Sequence, residues 1–175
     1  MDLRIQRTKN SIKEAFIELR RRKPIEKITV TELARHAGIN KATFYLHYSD
    51  IYALSEEIED ALIDELIAGA ADNFFDAPKE CTNELFKKFM DNRRRLTMVF
   101  SGSRAAFFAR KIEQRLKAVM YEKRPSFHTK KNDIIISFLV QGMFHTVEEC
   151  RDDNEQETFN IISQLSDGIV NNLTF

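Results

Sequence analysis

Between Gly38 and Tyr48 the chain reads G-I-N-K-A-T-F-Y-L-H-Y. A primary amine (Lys41), a hydroxyl (Thr43), a phenol (Tyr45) and an imidazole (His47) are crowded into this stretch. All four are donors suited to phosphate oxygens or to the edges of nucleic-acid bases. The pattern does not suit catalysis, because His47 has no nucleophile or orienting carboxylate at a recognisable spacing. At ~100° per residue, a helix starting at Lys41 turns Ile39, Phe44 and Tyr48 towards a core. The opposite face then presents Lys41, Ala42, Thr43, Tyr45, Leu46 and His47. The major groove of B-DNA is wide enough for one such helix, and the small Ala42 and Thr43 let its backbone come close.

The flanking residues supply what such a helix needs to stay in place. Thr29-Val30-Thr31-Glu32 has the form of a capping box opening a helix with Val30, Leu33, Ala34 and Ala37 on its apolar face. Gly38 can take the left-handed conformation that ends it. Asn40 then caps the next helix, predicted from Lys41 to Leu46 or His47. Helix, tight glycine turn and helix make a helix-turn-helix. Upstream, Ile5, Ile12, Ala15, Phe16 and Leu19 form the stripe of a helix predicted from Leu3 to Arg22. Arg20 to Lys23 places positive charge at its carboxyl end, and Pro24 stops it.

The segment ITVTELARHAGINKATFYLHYSDIYAL resembles the DNA-binding segment of the TetR family of bacterial transcription regulators. The resemblance covers roughly residues 5 to 65 and also fits the chain length and the helical remainder. It implies a phosphate contact at Thr31 and base-edge contacts at Lys41 and Ala42. It also implies phosphate or base contacts at Thr43, Tyr45 and His47, and a reach towards a base or sugar at Leu46. Two positions depart from the family pattern. Ala42 stands where many members carry glycine, and Ile51 stands where many carry a phosphate-gripping lysine, which implies a shallower salt dependence. Arg4 and Arg7 could reach an adjacent groove from an N-terminal arm or simply be solvated.

Charge points the same way. Residues 1–48 carry eleven Lys+Arg against five Asp+Glu, a net of +6, while the remainder is −6 and the whole chain is neutral. A basic head on an acidic body fits a polyanion partner. The expected domains are a DNA-binding domain at 1–48 and a regulatory, ligand-binding and dimerisation domain at 49–175, connected by a long helix over 50–77. The expected fold is all-α. With three prolines, five glycines and no sustained apolar/polar alternation, nothing in the chain reads as a strand. Further helices are predicted at about Cys81–Phe100, Arg104–Lys123, Lys130–Cys150 and Asn154–Leu173, with the charged turn RDDNEQE before the last.

A single head covers few base pairs, so two heads about one DNA turn (~34 Å) apart are expected, on a palindromic double-stranded operator, from a homodimer. The run from Ile134 to Phe144 is apolar nearly all round, and the last helix carries its own stripe. Phe138, Met143, Ile162, Leu165, Ile169 and Leu173 are therefore candidates for the dimer face, in a four-helix bundle. Phe86, Phe89, Met90, Phe100, Phe107, Phe108 and Met120 are candidates for the pocket of a small-molecule effector, though such residues also fill ordinary cores. DNRRRL at 91–96 could serve an anionic ligand or be a solvated charge run.

No Gly-rich phosphate loop, metal-ligand cluster or nucleophile–base pair is present in the sequence, so neither an enzyme nor a cofactor or metal is expected. His128 and His145 read as isolated. Cys81 and Cys150 match no metal or redox spacing and read as reduced structural residues. No run approaches the ~20 apolar residues of a membrane span and the N-terminus has no signal-peptide core, so a cytoplasmic protein without a membrane partner is expected. The function these readings support is a sequence-specific transcription regulator, a dimeric repressor relieved by an effector. The rival is an activator or coactivator of the same fold working through protein contacts.

Overall fold

The computed structural model describes residues 3–69, 72, 74–149 and 154–173. Their regular elements are all helical: α1 (Leu3–Arg20), α2 (Val30–His36), α3 (Lys41–Tyr45), α4 (Ile51–Ile67), α5 (Pro78–Val99), α6 (Phe108–Lys123), α7 (Lys130–Glu149) and α8 (Glu155–Val170). Short 3-10 turns lie at Ile25–Lys27, Gly102–Phe107 and Pro125–Phe127. The chain forms two compact units, one of Met1–Leu62 with Arg94–Ala106 and one of Ile63–Arg93 with Phe107–Phe175. α4 and α5 each contribute residues to both.

The first unit is built on Ile12, Phe16 and Leu19 of α1, Ile25, Leu33 of α2, Phe44 of α3, Tyr48 in the following loop, and Leu54 of α4, all buried together. Lys9 and Lys13 of α1 reach Glu57 of α4 at 2.8 and 2.7 Å. The returning segment 94–106 is fixed by side chains that satisfy its backbone and its charge. Arg20 is buried and donates to the carbonyls of Met98 and Val99 at 2.8 and 3.0 Å and to Ser101 Oγ at 2.8 Å. It thereby occupies acceptors at the carboxyl end of α5 that have no helical partner. Glu26 accepts the Ser103 N–H at 2.9 Å. Hydrogen bonds from Ser103 hold the Glu26 carboxyl at about 2. Arg104 grips Glu59 with two bonds, Nε to Oε1 at 2.7 Å and Nη2 to Oε2 at 2.6 Å. Glu59 has no exposed surface and also accepts from Ser55 Oγ at 2.8 Å.

In the second unit α6 packs on α7 and α7 on α8. Phe86, Val147 and Ile162 are buried together, with Phe159 stacked on Phe86 at 5.1 Å. Glu113 of α6 takes hydrogen bonds from Lys117 at 2.8 Å, Ser137 at 2.6 Å and Gln141 at 3.0 Å. Burial pushes this carboxyl up, but the three donors and the Lys117 charge outweigh it and hold it at about 2. His128 is not isolated, for its ring stacks on Tyr121 at 4.3 Å and faces Asp133 at 3.5 Å. His145 is exposed. Cys81 is buried and unbridged, its thiol pushed up to about 11 by burial, while Cys150 lies outside the described residues.

Several predicted boundaries move. α1 ends at Arg20 rather than Arg22, the chain leaving it through a tighter turn in which the Arg22 N–H donates to the Leu19 carbonyl at 3.0 Å, ahead of Pro24. α4 ends at Ile67, well before residue 77, and Gly69 at φ +79° sits in a conformation no right-handed helix contains. α6 begins at Phe108 rather than Arg104, since Gly102–Phe107 winds as a 3-10 turn in which Arg104 meets Glu59. The apolar run of α7 is not buried all round in this chain: Ile136 and Leu139 are buried while Ile134 and Phe138 are exposed. Of the charged turn RDDNEQE, residues 151–153 lie outside the described residues, and Asn154 caps α8. Among the described residues no helix is long and apolar enough to cross a membrane, and no group of His, Cys, Asp and Glu could hold a metal.

Breaking the buried pair by Glu59→Leu should remove both short bonds to the Arg104 guanidinium, leave it facing Glu56 at 3.6 Å, and lower unfolding free energy by about 3–5 kcal/mol. Adding Arg104→Met should restore most of that loss, as urea denaturation of the single and double variants will show. Glu113 gives the pH-dependent counterpart. Its folded pKa of about 2 lies below an unfolded value of ~4.3, so its contribution is complete above the unfolded value and fades as pH falls towards the folded one. Glu113→Gln should therefore destabilise the chain at neutral pH, and its deficit should shrink between about pH 4 and about pH 2.

Candidate nucleic-acid interface

α3 is five residues long, too short to persist unaided, and three local devices place it. Gly38 adopts φ +67° after α2, reversing the chain where a side chain would be strained. Asn40 takes an extended conformation and its Oδ1 accepts from the Thr43 N–H at 2.7 Å. Phe44 is fully buried against the core of the first unit, with the Tyr48 ring 5.7 Å away. α2 is capped by the Thr29 hydroxyl, which accepts from the Glu32 N–H at 3.2 Å. The other half of the expected capping box is absent, because the Glu32 carboxylate pairs with Lys23 instead.

With Phe44 inward, the candidate contacts divide as follows. Lys41 and Ala42 are exposed, Tyr45 is 56% exposed and Leu46 is 82% exposed. Thr31, in the first turn of α2, is also exposed. Tyr45 stands edge-on to Phe44 at 5.5 Å, which steadies the ring and leaves its hydroxyl outward. Thr43 and His47 are half-buried. The Thr43 hydroxyl donates to Asn40 Oδ1 at 3.0 Å, so its proton is used within the cap and must be released before it can serve a phosphate. Ile51 is buried in the core, and a side chain at this position points inward in this chain. Its neighbour Tyr52, 44% exposed, escaped the sequence reading, and only the position of Ile51 on the apolar stripe of α4 could have signalled it. An amine, a phenol and a large apolar side chain on one exposed turn can meet phosphates, base edges and sugars together.

The candidate pocket residues separate more sharply. A cavity of about 110 Å³ lies within the second unit, and Phe86, Phe89, Phe108 and Met120 line it. Met90, Phe100 and Phe107 do not. Met90 packs against the Phe86–Ile162 cluster, Phe100 is buried in the first unit, and Phe107 lies beneath the Arg110 guanidinium at 5.2 Å. Arg93, Arg94 and Arg95 are outside the wall as well.

Of the candidate dimer residues, Phe138 and Leu165 are exposed at 66% and 63%. Ile162 is buried in the second unit's core, Met143 and Leu173 line the cavity, and Ile169 is half-buried. Ile134 and Ile161, not singled out from the sequence, are exposed four residues before Phe138 and Leu165 and share their helix faces.

Residues 12–58 match the family model described as bacterial regulatory proteins, tetR family. No curated protein and no solved structure matches the chain. The matched segment begins in α1 and runs past α3 into α4, so it contains the capped turn and the whole of α3. The chain therefore carries at its N-terminus the helix-turn-helix of the TetR family of DNA-binding transcription regulators.

Proposed function

We propose that the protein is a dimeric, sequence-specific repressor whose operator binding is relieved by a small-molecule effector. The observation that carries the DNA side is the burial of Phe44, which leaves Lys41, Ala42, Tyr45 and Leu46 on the outward turn of α3. In this reading Lys41 and Ala42 meet base edges, Tyr45, Thr43 and His47 meet phosphates or bases, Leu46 packs on a base or sugar, and Thr31 grips a phosphate. The DNA-contacting residues then fall within 1–48, and the regulatory and dimerising ones within 49–175.

Dimerisation is supported by two unpartnered apolar stripes, Ile134 with Phe138 on α7 and Ile161 with Leu165 on α8. Clustered exposed side chains of this size characterise association surfaces. Two heads would then sit in successive major grooves of a palindrome, ~34 Å apart. The effector site is the cavity of the second unit. A guest acts there only through the difference in its affinity for the DNA-competent and incompetent states. α4 and α5, which each supply residues to both units, give the covalent route for that difference. The protein works in the bacterial cytoplasm, where its operator lies.

Lys41→Ala and Tyr45→Ala should each weaken binding to an operator selected from random DNA by roughly 1–3 kcal/mol. Their circular dichroism should match that of the native chain, because both side chains are exposed. Unchanged affinity in both variants, measured by fluorescence anisotropy, would mean that another face meets the duplex.

A further inference from the structure

The cavity wall is formed by eighteen residues, none of them ionisable. Five are phenylalanines: Phe74, Phe86, Phe89, Phe108 and Phe144. An anion or cation entering it would shed water against no compensating charge, a large cost in an apolar site. The basic run at 91–96, which could have served an anion, contributes nothing to the wall.

One side chain in the wall is polar, that of Thr82. Its hydroxyl already donates to the Pro78 carbonyl of its own helix at 2.8 Å. The hydrogen is thus committed, and what remains for a guest is a lone pair on Oγ1. A carbonyl or ether would find no donor here, whereas a phenol or an alcohol would find an acceptor. The cavity is about 110 Å³, of the same order as the ~150 Å³ apolar cavity that holds benzene, so one ring fills it and its open side leaves room for a substituent.

Resting on the reading of this cavity as the effector site, we propose that its ligands are neutral, apolar molecules of about one aromatic ring. Where such a ligand carries a polar group, that group is a hydrogen-bond donor directed at Thr82 Oγ1. Simple phenols and short alcohols fit this description; carboxylates and ammonium compounds do not.

Calorimetric titration of the full chain with toluene, phenol and benzoate tests it. These three probes share a ring and differ in having no polar group, a neutral donor or a charge. Toluene and phenol should bind, and benzoate should bind at least about tenfold more weakly than phenol. Thr82→Val keeps the shape of the wall and removes the acceptor, so it should weaken phenol about tenfold and leave toluene within about twofold. Thr82→Ser, which retains the hydroxyl, should preserve phenol binding and guards against a general loss of packing. Benzoate binding within about threefold of phenol would overturn the charge argument while leaving the cavity a ligand site. Phenol affinity unchanged in Thr82→Val would overturn the donor assignment. If none of the three binds, the proposal fails together with the effector reading on which it rests. If they bind as expected without altering operator affinity, the ligand class stands and the effector reading alone falls.

Discussion

Phe44 has no exposed surface, and its burial fixes the direction in which the rest of α3 faces. A five-residue helix contributes almost nothing to its own stability, since nucleation costs more than so few backbone bonds return. Burying a phenylalanine contributes roughly 1.5–3 kcal/mol, and the Asn40 cap about 1 kcal/mol more. Helical geometry then leaves no choice. With residues 44 and 48 inward, residues 42, 45 and 46 must look out, and Lys41 at the helix start is exposed beside them. The glycine turn at 38 and the small Ala34 of α2 let the two helices meet closely enough for this to hold.

The first unit is completed by chain that arrives much later. Arg20 caps the end of α5 across 78 residues of sequence, and Arg104 neutralises Glu59 across 45. Buried charges of this kind must be paired, because an unpaired one costs several kcal/mol. The head is therefore more than the matched segment 12–58, since its charge balance and one helix end are closed by residues 94–106. The second unit works on the opposite principle. A polar cluster is gathered between α6 and α7 around Glu113 and Asp133, and Thr82 is the one polar side chain in the cavity wall.

Much of the head was legible in the sequence because its determinants are local. The Thr29 and Asn40 caps, the Gly38 turn and the inward Phe44 each depend on neighbours within a few residues, and each is found where the sequence puts it. The body was legible only as helices. Arg20 lies in a run of basic residues and looks like a solvated helix end; its burial depends on carbonyls that no local pattern reveals. The apolar residues of α5 to α8 announced a core without saying which side chains leave a void. Phe86 and Phe89 do, whereas Phe100 and Met90 are filled in. Periodicity also could not separate the buried Ile162 from the exposed Leu165 three residues on, because both belong to a single broad stripe. Likewise the proton of Thr43 had no visible claimant until the geometry of the Asn40 side chain was known.

In vitro selection of bound DNA from a random pool tests the central claim most directly, because it requires α3 to read bases and requires two copies to read them in register. Enrichment of an inverted repeat whose half-sites lie about one helical turn, ~34 Å, apart is the result expected of paired heads in successive major grooves. A pool that stays random after repeated rounds, with binding that depends on salt alone, would contradict base readout by this helix.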